Sequence, residues 1–92
     1  MISPYLDQAL VVGALSARAN DEAARGNVAH AADIYGRMVD QVLASGPKLE
    51  TDLTDAAEVS RLYASIAALD RRAGRLADAA SVDARRSRIW QH

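Results

Sequence analysis

The chain has no cysteine, no phenylalanine, two prolines and only four aromatic residues. Without cysteine, neither a disulfide nor a thiolate metal site can stabilise the fold. With so few aromatics, the core must come from aliphatic side chains and from alanines that let helices approach closely. Half of the 92 residues are hydrophobic and a quarter are charged, which is the balance of a globular domain. We therefore expect one domain, residues 1–92, near the small end of what folds unaided.

Long hydrophobic runs are absent too. No stretch approaches the roughly 18 apolar residues that a membrane span requires. The apolar segment from Ala9 to Ala19 lacks the preceding basic residues of a secretion signal. We therefore expect a cytoplasmic protein. Ten arginines against one lysine, together with abundant alanine, favour a bacterial protein from a GC-rich genome.

Charge is unevenly distributed along the chain. Residues 1–60 carry four basic and nine acidic residues, a net charge of −5, and residues 61–92 carry seven arginines and three aspartates, a net charge of +4. Such a molecule can steer a charged partner or pair with its own copy head to tail. Alternatively, the arginines only form a solvated face, as charge runs usually do.

Apolar periodicity and helix breakers predict four helices. Ser3 and Pro4 fit a helix start, and Gly26 fits a helix end that Asn27 follows as the next cap. The pair Gly46–Pro47 ends the second helix, Asp52 or Thr54 caps the third, and Gly74 ends the third. The predicted fold is all-α, two antiparallel hairpins with helices at about 3–25, 27–45, 54–73 and 75–90.

An internal repeat relates the two hairpins. The segment ARGNVAHA from Ala24 to Ala31 and the segment RAGRLADA from Arg72 to Ala79 share a glycine, an apolar residue two places on and an alanine five places on. The two glycines are 48 residues apart. Repeated hairpins of this kind indicate stacked units.

This pattern resembles the tetratricopeptide repeat family, in which two antiparallel helices join at a glycine turn and cross closely over small alanines. The resemblance places repeat 1 at about 4–45, a linker at 46–53 and repeat 2 at about 54–91. The matching positions are Leu15, Ala19, Gly26, Ala31 and Tyr35 in repeat 1, and Tyr63, Ile66, Ala67, Gly74 and Ala79 in repeat 2.

Three positions depart from the family pattern. Arg18 stands where the family has leucine, Asp83 replaces the aromatic of the second unit, and Arg86 replaces a small apolar residue. The repeat is also longer than the roughly 34 residues of the standard unit. A plain four-helix bundle would show nearly the same periodicity and stays an alternative.

The resemblance implies a concave groove lined by the first helix of each hairpin. Its lining would be Gly13, Ser16, Asn20 and Ala23 from repeat 1 and Arg61, Ala64, Ala68 and Arg71 from repeat 2. We expect this groove to bind a protein or peptide. Ser16 and Ser65 stand where a carboxylate clamp needs Lys and Asn, so we predict no such clamp.

The sequence contains few residues or motifs that could form a catalytic or metal site. His30 is expected on the outer face of the second helix, and His92 is the last residue. No HExxH, EF-hand, Walker-type or GxGxxG pattern occurs. We therefore predict no enzyme activity, no cofactor and no metal.

Two repeats without a separate capping helix suggest that another chain covers part of the surface. We expect a homodimer or docking to further repeats, with Tyr5, Leu6, Leu10 and Trp90 as candidate contacts. Alternatively, Asp83, Arg86 and Arg88 make the fourth helix a polar cap of its own.

Two other interpretations stay open. The ending SVDARRSRIWQ resembles the last helix of repeat tails on bacterial signalling proteins, including some serine/threonine kinases, so the chain could be the tail of a larger enzyme. The arginines of the second half could instead bind nucleic acid. Nucleic-acid binding is disfavoured because the chain is acidic overall and Trp90 is the only aromatic residue near the arginines between Arg71 and Arg88 in the sequence.

Overall fold

The computed structural model describes residues 4–91, with side chains from Leu10 onward. Its four helices are α1 (Pro4–Ala24), α2 (Val28–Ala44), α3 (Leu53–Arg72) and α4 (Leu76–Ile89). Across 4–91 there is no strand, so the all-α prediction is confirmed, and each boundary lies within one residue of its predicted place. The predicted cap Ser3 and the side chains of Tyr5 and Leu6 lie outside the described residues.

Both hairpins turn through the same backbone motif. Gly26 has a φ of 87° and Gly74 a φ of 78°, in the left-handed region that favours glycine. In each turn the amide after the glycine donates to the carbonyl five residues earlier, at 2.9 Å in the first and 2.8 Å in the second. This is the hydrogen bond of the Schellman motif, which ends a helix by satisfying its free carbonyls. The sequence repeat is thus also a repeat of backbone geometry.

The helix starts are capped differently. Asp52 Oδ1 accepts hydrogen bonds from the amides of Thr54 at 2.9 Å and Asp55 at 3.1 Å, so Asp52 is the cap of α3. Asn27 stands at the N-cap position of α2 but makes no side-chain cap bond. Its Nδ2 instead donates to Glu22 Oε2 at 2.8 Å, because the tight turn brings it beside the end of α1.

Four buried alanines occupy equivalent positions in the two hairpins. Ala19 and Ala67 hold equivalent positions in the two hairpins, and so do Ala31 and Ala79, and all four are buried. The larger core side chains lie mainly between α2 and α3. That cluster comprises Val39, Val42, Ala56, Val59, Tyr63, Ile66 and Ile89.

The four helices form an open row. The backbone of each helix approaches only its neighbours in the chain: within the described residues, no Cα atoms of α1 and α3, α2 and α4, or α1 and α4 come within 8 Å. The row measures 39 × 36 × 15 Å. Because one dimension is less than half of the other two, we call the molecule a plate with two faces. A four-helix bundle would bring its first and last helices together. The open row instead leaves a groove on each face, one between α1 and α3 and one between α2 and α4.

Polar contacts hold α4 against α3. Arg71 Nη1 donates to Asp83 Oδ2 at 2.8 Å, and Arg86 Nε donates to Ser60 Oγ at 3.0 Å. Asp83 and Arg86 occupy the two positions of α4 where the repeat pattern has apolar residues. Their side chains find partners on α3, which explains how so polar a helix packs.

Candidate functional site

The groove between α1 and α3 is the larger of the two, with a volume of about 640 Å³. We call it the α1–α3 groove. Its floor is α2, where the buried Met38 and Val42 face it, and its α1 wall carries the half-buried Val12. The remaining lining residues are Gly13, Ser16, Ser45, Gly46, Pro47, Asp55 and Glu58. The groove therefore offers an apolar floor with polar edges.

Two carboxylates stand on the α3 edge of this groove. Asp55 Oδ2 accepts a hydrogen bond from the amide of Lys48 at 2.9 Å, which fixes the linker against α3. Glu58, one turn further along α3, is exposed, and its carboxylate makes no hydrogen bond or ion pair with the side chains described from Leu10 to Gln91. An unpaired carboxylate beside an apolar floor suits a segment that is apolar with a basic residue next to it.

Gly13 leaves the α1 wall open. A Cβ atom placed there meets no atom within 4 Å, so a side chain can start from this position without a clash at its first carbon. The same is true of Gly36 on α2, which lies on the other face of the plate. These two glycines offer a matched pair of positions for blocking one groove and sparing the other.

The residues predicted to line a groove are only partly brought together. Gly13 and Ser16 line the α1–α3 groove. Asn20 Oδ1 accepts a hydrogen bond from Tyr35 Oη at 3.0 Å, across the first hairpin. Arg71 points to Asp83 on α4, and the other predicted residues of α3, Arg61, Ala64 and Ala68, do not line the groove.

The edge formed by Asp55 and Glu58 was not predicted. In the sequence, two acidic residues in the first turns of α3 are explained by the charge preference of a helix start alone. Their three-residue spacing, continued by the half-buried Leu62, could have indicated one edge of α3. The floor residues Met38 and Val42 are buried core residues of α2, and in an open row such residues face a groove as well.

The second groove, between α2 and α4, has a volume of about 390 Å³ and contains the side chain of Arg75. Its guanidinium lies 3.0 Å from Asp33 Oδ1 on α2, 3.3 Å from Asp78 Oδ2 on α4 and 3.4 Å from Asp70 Oδ1 on α3. The hydrogen bond with Asp33, above all, raises the pKa of Arg75. This cluster ties the two hairpins together.

Asp70 is the buried member of that cluster, with 2 % of its surface exposed. Its Oδ1 lies 3.4 Å from Arg75 Nε and accepts no hydrogen bond from the described residues. Burial raises the pKa of the Asp70 carboxyl, and the attraction of Arg75 only partly offsets this.

Other predicted features can also be placed. Leu10 is 66 % exposed on α1 and Trp90 is 49 % exposed after α4, at opposite edges of the row. His30 Nδ1 lies 3.4 Å from Glu22 Oε2 on the surface. No group of three or more His, Cys, Asp or Glu within 4–91 could hold a metal ion. None of the helices in that part of the chain is long and apolar enough to span a membrane.

Comparison with known proteins finds no family model, no curated protein and no solved structure that matches this chain.

Proposed function

We propose that this chain is a small protein-interaction module of two tetratricopeptide-like hairpins, which holds a short segment of a partner in the α1–α3 groove. The observation that carries the proposal is the groove itself. Its floor of Met38 and Val42 lies between α1 and α3, whose backbones do not meet within the described residues. Concave, mostly apolar surfaces of this size are typical of binding sites.

The repeat character of the hairpins supports this interpretation. Both glycine turns use the same motif at a spacing of 48 residues, and the paired alanines of the family pattern are buried at equivalent positions. The open row is the arrangement of stacked repeats, which present their surfaces to partners along one face. A closed bundle would use the same apolar stripes to fill its own centre.

The lining of the groove suggests the chemistry of the segment. Val12, Met38 and Val42 offer contacts to one or two aliphatic or aromatic side chains, and methionine adapts to irregular shapes. Glu58, whose carboxylate is unpaired among the described side chains, can pair with a lysine or arginine of the same segment. We therefore expect an apolar segment with an adjacent basic residue.

Three of the seven arginines of the second half join helices to one another. Arg71 bonds to Asp83, Arg75 to Asp33 and Arg86 to Ser60. A phosphate-binding surface needs its basic side chains free. Their use in joining helices favours the protein-binding proposal.

The proposal is tested by selecting short random displayed peptides on the native chain. Recovered peptides are then screened against Gly13→Arg, which adds a long side chain to the groove wall, and against Gly36→Arg as the matched control on the other face. We expect peptides with apolar and basic residues that bind the native chain and Gly36→Arg but not Gly13→Arg. Failure to recover any peptide that distinguishes the two variants would refute the proposal.

A further inference from the structure

One end of the plate carries two complementary surfaces. Because the helices alternate in direction, α1 and α3 begin where α2 and α4 end. The α1–α3 groove opens at this end beside Pro47 and Asp55. Across the linker, on the α4 side, Leu53 and Trp90 project from the same end. We call these two residues, with Arg88, the Leu53–Trp90 knob.

The knob is apolar, exposed and held in place. Leu53 is 74 % exposed, and together with Trp90 it is among the largest exposed apolar side chains of the described residues. Trp90 Nε1 donates to Ser60 Oγ at 3.1 Å, which fixes the ring. A small cavity of about 280 Å³ beside it is lined by Leu49, Ala56 and Ile89, among others. An aromatic that is already ordered loses little entropy when a partner covers it.

The charges of the two surfaces are opposite. Arg88, two residues before Trp90, is exposed, and its guanidinium makes no hydrogen bond or ion pair with the side chains described from Leu10 to Gln91. Glu58, at the edge of the groove, is the corresponding carboxylate without a partner in that same range. The groove thus presents an apolar floor with a free acid, and the knob presents apolar side chains with a free base.

We infer that the α1–α3 groove of one copy of this chain receives the Leu53–Trp90 knob of a second copy, with Arg88 of the second facing Glu58 of the first. This inference rests on the proposed function, because it names the occupant of the same groove. Groove and knob lie at the same end of the plate, so two copies related by a twofold axis exchange both contacts at once. The pair is closed and does not extend into a filament.

A knob of two apolar residues buries less surface than a standard interface of about 1,600 Å². The dimer is therefore weak, and we expect a dissociation constant of about 10 to 500 μM. Sedimentation velocity from about 5 μM to 1 mM covers this range.

Charge reversal tests the pairing. Glu58→Arg and Arg88→Glu each place like charges opposite each other, and each is expected to weaken association about tenfold or more. The double variant Glu58→Arg/Arg88→Glu and an equimolar mixture of the two single variants restore opposite charges at both contacts. Both are expected to return to within about threefold of the native constant. Arg85→Glu, the same charge change on the α2–α4 face, serves as the control and is expected to leave association unchanged.

The contradicting results are equally definite. A native chain that stays monomeric at about 1 mM, single variants that associate as well as the native chain, or a mixture that fails to recover would each overturn the inference. Helical circular dichroism of every variant excludes loss of the fold as the cause. The two proposals can fail separately. If the native chain is monomeric but binds selected peptides, and Gly13→Arg abolishes that binding, the self-pairing is refuted and the proposed function is supported.

Discussion

At the scale of single residues, glycine has two different roles in this chain. Gly36 lies inside α2 with open space around its Cβ position, and Gly74 adopts a positive φ at the hairpin turn. Gly36→Ala is expected to raise the free energy of unfolding by about 0.5–1 kcal/mol, since alanine costs less backbone entropy in a helix.

Gly74→Ala is expected to lower that free energy by about 1 kcal/mol, since its left-handed conformation disfavours a Cβ atom. Urea unfolding followed by circular dichroism measures both changes. Equal effects of the two substitutions would show that the turn is not held as described.

Asp70 gives the chain a pH dependence at the same scale. Burial raises the pKa of its carboxyl, so the folded state binds its proton more tightly than the unfolded state. This group therefore adds stability at pH values below its unfolded pKa, and that stability is lost as the pH rises through the folded pKa. The Asp70→Asn variant lacks this titration.

The free energy of unfolding of Asp70→Asn, relative to the native chain, is therefore expected to rise between about pH 3.5 and pH 7. Urea unfolding at both pH values measures it. A difference between the two proteins that does not change with pH would contradict the assignment. Asp33→Asn, at an exposed member of the same cluster, is the comparison.

At the scale of elements, the two helix caps make a matched pair. Asp52 bonds two free amides of α3, and Asn27 bonds none of α2. Asp52→Ala is expected to destabilise the fold by about 0.5–2 kcal/mol, in the range for loss of an N-cap. Asn27→Ala is expected to cost less, because it removes only an exposed hydrogen bond to Glu22.

That bond also holds the pKa of the Glu22 carboxyl below its usual value, more than the neighbouring His30 does. Nuclear magnetic resonance titration of Asn27→Ala should therefore show the Glu22 pKa moving up. Urea unfolding ranks the two cap variants. Equal losses of stability would contradict the capping assignment.

The helices were predictable from the sequence, but their orientation toward one another was not. Periodicity and the breakers Gly26, Gly46 and Gly74 predicted the four helices, because these signals are local. The edge of α3 that faces α1 was not predicted. A periodic apolar stripe shows which side of a helix is buried. How the helix is rotated relative to the other hairpin also depends on the linker, which has no periodic pattern. In the folded chain the linker amide of Lys48 bonds to Asp55, and Arg71 bonds to Asp83 on α4.

At the scale of the whole molecule, the open row and the charge distribution act together. The second hairpin is closed by polar contacts of Asp83 and Arg86 with α3, and α1 exposes Leu10 and Val11. The first 60 residues carry the net negative charge and the last 32 the net positive charge. A plate with an apolar groove and opposite charges in its two halves suits association with other chains.

The most direct test of the central claim is the affinity of one selected peptide for the two arginine variants, measured by fluorescence anisotropy. The groove account predicts that Gly13→Arg weakens binding at least about tenfold, because the added side chain occupies the floor beside Val12. Gly36→Arg, with the same change in charge and helix composition, is predicted to bind within about twofold of the native chain. Equal binding by the two variants would show that the segment is held elsewhere and would contradict the account.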